Sequence, residues 1–104
     1  MAEIKITRDN FRREVLQAEV PVLVGFWAAW CGPCRMLSPV ISEIAAQAEG
    51  KYKVGKVNVD EEPELASAYR VSSIPTLIVF KGGKAAASSV GVQAREDIED
   101  MLGL

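Results

Sequence analysis

Hydrophobic positions along this chain follow two patterns, the short apolar runs typical of strands and the 3.6-residue stripe typical of helices. Strands are predicted over residues 4–6, 22–27, 52–59, 76–80 and 85–90. Helices are predicted over residues 8–18, 34–49, 63–69 and 94–102. Strands and helices therefore alternate until two consecutive strands and a last helix close the chain.

Local signals support these elements. Residues 22–27 and 76–80 contain no charged residue, as expected of strands that are covered on both faces. Thr7 is a candidate N-cap for the first helix. The two glycines of Lys81-Gly82-Gly83-Lys84 favour a tight hairpin because glycine readily adopts a positive φ. The second helix has an inward stripe formed by Leu37, Val40, Ile41, Ile44, Ala45 and Ala48.

The order of elements predicts an α/β fold with three layers, α/β/α. Strands separated by helices pair in parallel through right-handed crossovers, and the hairpin adds an antiparallel edge. A length of 104 residues is typical of one domain, so residues 1–104 are predicted to form a single domain. Functional sites in such sheets gather beyond the carboxyl ends of the strands, which is where the connection after Trp27 lies.

Charge and hydropathy disfavour several functions. The chain has 12 basic and 14 acidic residues, whereas nucleic-acid binding by a charged surface needs an excess of cations. Its longest nearly apolar run, residues 20–30, is shorter than the roughly 20 residues of a membrane span, so no membrane partner is expected. Residues 1–19 lack the features of a secretory leader, which favours a cytoplasmic location.

Cys31-Gly32-Pro33-Cys34 is the strongest chemical signal, because it stands between a predicted buried strand and an amphipathic helix. Cys31 falls at or just before the helix start, where unpaired N–H groups and the helix dipole stabilise a thiolate. Cys34 continues the inward stripe of the helix and should be buried. The spacing therefore predicts one attacking thiol and one resolving thiol, with Gly32 leaving room for a partner chain and Pro33 favouring helical φ.

Other interpretations of the two cysteines remain open. A structural disulfide is uncommon in a chain with this cysteine usage. A metal site usually needs four ligands, and two cysteines without histidine supply only two, so a metal would have to bridge two chains. A non-enzymatic binding module is a further alternative. Beside the thiols, Trp30 offers a large apolar surface for a protein substrate, whereas Trp27 is expected to pack in the core.

The segment FWAAWCGPC, residues 26–34, resembles the active-site signature of the thioredoxin family. The resemblance extends along the chain through Pro39, residues 56–60, residues 74–76, Gly82-Gly83 and Val90-Gly91. It implies a five-stranded mixed sheet of order 1-3-2-4-5 flanked by four helices. It also implies dithiol–disulfide exchange with protein substrates by a monomer without a cofactor, reduced in turn by a flavin- or ferredoxin-dependent thioredoxin reductase.

The resemblance assigns further residues to the site. It implies that the bond between Ile74 and Pro75 is cis, that Pro75 faces the disulfide and that the Ile74 backbone can pair with a substrate strand. Gly91 and Val92 would complete the apolar groove. The Gly-Pro pair between the cysteines resembles reducing members of the family, whereas an oxidant or an isomerase on the same fold is the alternative.

One position departs from the family pattern. Thioredoxins usually carry a buried aspartate in the central strand, where this chain has Gly25. The lysine that usually pairs with that aspartate is present as Lys56, which is left as a possible aid to proton transfer at Cys34. The last helix also lacks the usual hydroxyl cap, because Ala94 stands at its start.

Overall fold

The computed structural model describes residues 3–104, which form one five-stranded mixed sheet. The strands are β1 (Ile4–Lys5), β2 (Val22–Trp27), β3 (Lys53–Asn58), β4 (Thr76–Lys81) and β5 (Lys84–Val90). The helical segments are a π-helix (Arg12–Leu16), α1 (Gly32–Ala46), α2 (Pro63–Ala68) and α3 (Arg95–Leu102). The sheet order is β1-β3-β2-β4-β5, with β1, β3 and β2 parallel and the last two strands antiparallel, so the predicted topology is confirmed.

Alternation along β2 divides the interior into two cores. Leu23 packs with α1 and α3 on one face of the sheet. Val24 and Phe26 pack with the π-helix and α2 on the other face. Because both faces are covered, the central strand is almost entirely apolar, and the predicted three-layer arrangement is confirmed. Four of the six residues of β2 are buried, and the other two, Gly25 and Trp27, are half-buried.

The first helix is much shorter than predicted over residues 8–18, and Thr7 does not cap it. The side chain of Asn10 accepts a hydrogen bond from the Thr7 N–H at 2.8 Å and donates one to the Lys5 carbonyl at 2.8 Å. Asparagine side chains that bond nearby backbone in this way favour turns over helix. The chain therefore turns over residues 8–10 before the short π-helix begins.

α1 begins at Gly32 and ends at Ala46, whereas the stripe predicted residues 34–49. The early start follows from Cys31, which acts as the N-cap. The early end follows from Glu49 and Gly50, which have φ of 47° and 77° and turn the chain towards β3. The other element ends differ from the predictions by a residue or so, and no helix among residues 3–104 has the length and apolarity to cross a bilayer.

The hairpin between β4 and β5 forms as predicted, with φ of 59° at Gly82 and 80° at Gly83. The register shifts between Val79 and Phe80, which pair with Ala87 and Ala85 and leave Ala86 as a bulge. At the start of α3, Ala94 makes no side-chain cap, as its lack of a hydroxyl implied.

Glu14 ties the π-helix to the sheet, because Lys53 Nζ donates to its carboxylate and to its carbonyl, each at 2.7 Å. The Lys53 side chain lowers the pKa of Glu14 below its usual value of 4.5.

We expect Glu14→Gln to lower the free energy of unfolding by up to about 1 kcal/mol at neutral pH. A carboxyl whose folded pKa is depressed stabilises the fold above its unfolded pKa, and this stabilisation disappears as the pH falls through the folded pKa. The difference between wild type and variant should therefore shrink below pH 4.5 in denaturant titrations. A difference that is constant from neutral to acid pH would contradict this account.

Gly55 on β3 allows β1 to approach closely, because a Cβ there would lie 2.6 Å from Ile6 Cγ1. We expect Gly55→Ala to destabilise the protein by about 1 to 3 kcal/mol through overpacking. Gly25→Ala on the neighbouring strand is the matched control, since its Cβ would lie 3.5 Å from Leu77 Cδ2, an ordinary contact. Equal stability of the two variants in urea denaturation would contradict this prediction, because it would mean that the Ile6 side chain moves aside without cost.

Candidate functional site

Cys31 and Cys34 form a disulfide at the junction of β2 and α1, with their Cα atoms 5.3 Å apart. Cys31 is the N-cap of α1, and its Sγ accepts a hydrogen bond from the Cys34 N–H at 3.2 Å. Its own N–H donates to the Ala28 carbonyl at 3.2 Å, which fixes the turn out of the strand. Sulfur at this position therefore faces the N-terminal dipole of a 15-residue helix, as the sequence predicted.

Both cysteines are buried in the disulfide form, with exposed fractions of 4% for Cys31 and 7% for Cys34. The predicted burial of Cys34 is confirmed, but burial alone does not distinguish the two residues. They differ in their surroundings. Cys31 lies beside the exposed residues Gly32 and Pro33, whereas Cys34 lines a cavity on the inner side of the pair.

The loop before β4 covers the disulfide from the other side. The peptide bond between Ile74 and Pro75 is cis, as the resemblance implied. The Ile74 carbonyl oxygen lies 3.8 Å from Cys31 Sγ, and Pro75 lines the same cavity as Cys34.

The Gly91 N–H donates to the Pro75 carbonyl at 2.8 Å, which brings the end of β5 to this loop. Gly91 has a φ of 92°, a conformation that suits glycine, and Val92 after it is 46% exposed. The structure thus brings together the segments that the sequence assigned to one groove.

Trp30 is 68% exposed, and its indole Nε1 donates to Asp60 Oδ2 at 2.8 Å. Asp60 was not assigned a role from the sequence. It is placed by Asn58, whose side chain accepts from the Asp60 N–H at 2.9 Å and so turns the chain after β3. The signal in the sequence was an Asn at the carboxyl end of a parallel strand with an Asp two residues later, because Trp30 follows the neighbouring strand at the same edge.

A cavity of about 300 Å³ lies behind Cys34, between the sheet and α1. Gly25, Trp27, Lys56, Pro75 and Leu77 contribute to its wall, which is otherwise mostly apolar. Gly25 and Lys56 are partners in the β2–β3 register. Gly25, where the resemblance marked a missing carboxylate, therefore lines the same cavity as Cys34, together with Lys56.

Lys56 is held by two neighbours at this wall. Its Nζ lies 4.8 Å from the centre of the Trp27 ring and 3.9 Å from Glu3 Oε1. Sequence reasoning missed Glu3, since only the β1–β3 pairing brings the start of the chain beside Lys56.

A redox-active cysteine pair that opens a helix after the central strand of a 1-3-2-4-5 sheet defines a thiol–disulfide exchange protein with a thioredoxin-like fold. The thioredoxin family model matches residues 2–103. Thioredoxin 1 of Nostoc sp. is 52% identical over 101 residues, which cover 97% of this chain and 94% of that protein. Thioredoxin of Alicyclobacillus acidocaldarius is 48% identical over 101 residues, covering 97% and 95%. Thioredoxin of Rickettsia felis is 45% identical over 97 residues, covering 93% and 92%.

The chain belongs to the thioredoxin family. It is a thiol–disulfide oxidoreductase that reduces disulfides in protein substrates by reversible dithiol–disulfide exchange, and a reductase partner restores its dithiol.

The geometry at Gly25 predicts how a carboxyl would behave there. Half-burial beside the cavity would raise the pKa of the carboxyl introduced by Gly25→Asp, because desolvation disfavours its charged form. The variant should lose stability relative to wild type as the pH rises past about 3.9, and the loss is complete above the folded pKa. Each unit of upward shift adds about 1.4 kcal/mol to this loss, and pairing with Lys56 would reduce it.

The measurement is denaturation of the oxidised proteins across pH, because the disulfide-bonded cysteines do not titrate. Gly25→Asn is the matched control, since it has the same shape without the charge and should show a pH-independent difference from wild type. Parallel curves for Gly25→Asp and Gly25→Asn would mean that the new carboxyl stays solvated.

Proposed function

We propose that Cys31 is the nucleophile and Cys34 the resolving thiol of the exchange reaction. The observation that carries this assignment is the N-cap geometry, in which the Cys34 N–H points at Cys31 Sγ at 3.2 Å. In the reduced protein that N–H and the helix dipole stabilise a Cys31 thiolate. Cys34 belongs to the inner side of the pair and meets the cavity instead.

The reaction proceeds in two displacements. The Cys31 thiolate attacks one sulfur of a substrate disulfide, forms a mixed disulfide and releases the other substrate sulfur as a thiolate. Cys34 then loses its proton and attacks Cys31 Sγ, which closes the Cys31–Cys34 bond and releases the second substrate thiolate. Two electrons pass from the dithiol to the substrate, and no cofactor takes part.

Lys56 assists the second displacement. Lys56 and Cys34 line the same cavity, and a nearby cation stabilises a thiolate. The proton of Cys34 leaves through water in the cavity, while the charged Lys56 stabilises the thiolate that forms; Lys56 could accept the proton only in its neutral form. Lys56 therefore acts here by its charge alone, without the carboxylate that the family usually has at the position of Gly25.

The substrate chain binds across the exposed rim of the site. Trp30 in the loop after β2 and Val92 just after β5 are exposed apolar side chains. Gly32 and Pro33 lie between the cysteines, and the Ile74 backbone pairs with a substrate strand beside Pro75 and Gly91, whose own backbone groups are bonded to each other. This mixture of apolar contact and backbone pairing suits extended segments of varied sequence.

Residues 1–104 act as one domain and a monomer in the cytoplasm, with a flavin-dependent or a ferredoxin-dependent thioredoxin reductase as the partner. The test is insulin reduction driven first by dithiothreitol and then by each reductase with its own electron donor. Turnover with one reductase alone identifies the partner. Failure to reduce insulin even with dithiothreitol would contradict the proposed function.

We expect Cys31→Ser to abolish exchange, because the remaining thiol faces the cavity. Cys34→Ser should still attack and accumulate mixed disulfides with insulin, since the step that releases them is missing. Non-reducing electrophoresis followed by mass spectrometry of the linked cysteines measures both outcomes. Trapping by Cys31→Ser and not by Cys34→Ser would reverse the two assignments.

A further inference from the structure

The Oε1 oxygen of Glu3 is shielded from water and has no hydrogen-bond partner among residues 3–104. The other oxygen, Oε2, accepts a hydrogen bond from Ser42 Oγ on α1 at 3.0 Å. A carboxylate oxygen that is shielded from solvent needs a compensating cation. Lys56 Nζ lies 3.9 Å from Oε1 and supplies one.

Among residues 3–104, Lys56 and Arg35 are the two cationic residues that line the cavity with Cys34. Lys5, its register partner on β1, is 74% exposed and pairs with Glu61 at 3.5 Å. Arg35 also borders the cavity, but its guanidinium donates to the Ala29 carbonyl at 2.7 Å.

Two contacts keep Lys56 from extending into solvent. The lysine side chain is 31% exposed, so its four-carbon chain has room to swing outwards. The Trp27 ring holds Nζ from one side, and the Glu3 carboxylate, itself fixed by Ser42, holds it from another. Without the carboxylate, the ammonium would spend part of its time away from the cavity.

We propose that Glu3 is a positioning residue for the resolving step, which anchors the Lys56 ammonium beside Cys34. The proposal rests on the proposed role of Lys56. Glu3 touches no reacting atom and acts through the lysine. The proton and bond changes remain those of the second displacement, and Glu3 changes only how often the cation is present when Cys34 becomes a thiolate.

The negative charge of Glu3 also has a direct effect of the opposite sign, because it disfavours a thiolate. This effect is the smaller one, since Lys56 lines the cavity and Glu3 does not, and charge interactions weaken with distance and screening. Removing the carboxylate should therefore slow the resolving step while Lys56 is present. It should not slow that step once Lys56 has been replaced.

The experiment is single-turnover reaction of the reduced protein with 4,4′-dithiodipyridine, a neutral disulfide whose two thiopyridone products absorb. The first product reports attack by Cys31 and the second reports resolution by Cys34. Glu3→Gln, which retains the shape that bonds Ser42, should slow the second phase about fivefold and leave the first unchanged. In a Lys56→Met background the same substitution should produce no slowing.

Glu64→Gln is the matched control, because it removes an equal charge from a surface carboxylate that pairs with Arg8 at 3.0 Å, and it should change neither phase. The positioning role is overturned if Glu3→Gln leaves the second phase unchanged, speeds it, or slows it equally in both backgrounds. Two other outcomes count against the proposed function instead. These are a missing first phase in the wild type, or a second phase that Lys56→Met does not slow.

Discussion

The turn from β2 into α1 is the constraint on which the site depends. β2 is fixed by pairing on both edges and by cores on both faces, so its carboxyl end has little freedom. The Cys31 N–H bonds back to Ala28, and the Cys31 Sγ accepts the Cys34 N–H of the first helical turn. The helix is held in turn by its own inward stripe. The strand and the helix therefore determine the position of the Cys31 sulfur through backbone hydrogen bonds, and no hydrogen bond from another side chain is needed to hold it.

The remaining parts of the site are brought to that sulfur by the register of the sheet. β4 pairs with β2 in the antiparallel direction, so the loop that precedes β4 lies at the carboxyl end of β2. β5 pairs with β4, and its last residue, Val90, is the partner of Thr76. For this reason Pro75 and Gly91 meet beside the cysteines although they are far from them in sequence. The groove is a consequence of topology, and loop sequence adjusts its surface.

The sequence predicted the alternation of strands and helices, the hairpin and the cysteine geometry because each depends on a strong local pattern, whereas the order of the strands in the sheet followed from the resemblance to the thioredoxin family. It did not predict the turn at residues 8–10, where the side chain of Asn10 competes with helix formation. It did not predict that Cys31 would be as buried as Cys34, since that burial comes from Ile74 and Ala28 in distant or loop positions. Asp60 and Glu3 were missed for a related reason, because ordinary surface carboxylates acquire a partner at the site only through strand pairing.

Gly25 connects stability with chemistry in this fold. Glycine in a central strand buries no side chain and costs conformational entropy, so the position weakens the core on the α1 side. The space that Gly25 leaves joins the cavity beside Cys34. Lys56, its register partner on β3, therefore borders this cavity without a carboxylate at the paired position of β2. A cation favours the thiolate state of the resolving cysteine but does not itself take the proton while it is charged. In the proposed mechanism, the resolving step therefore depends on where Lys56 is held and on access of water to the cavity, and less on a built-in base.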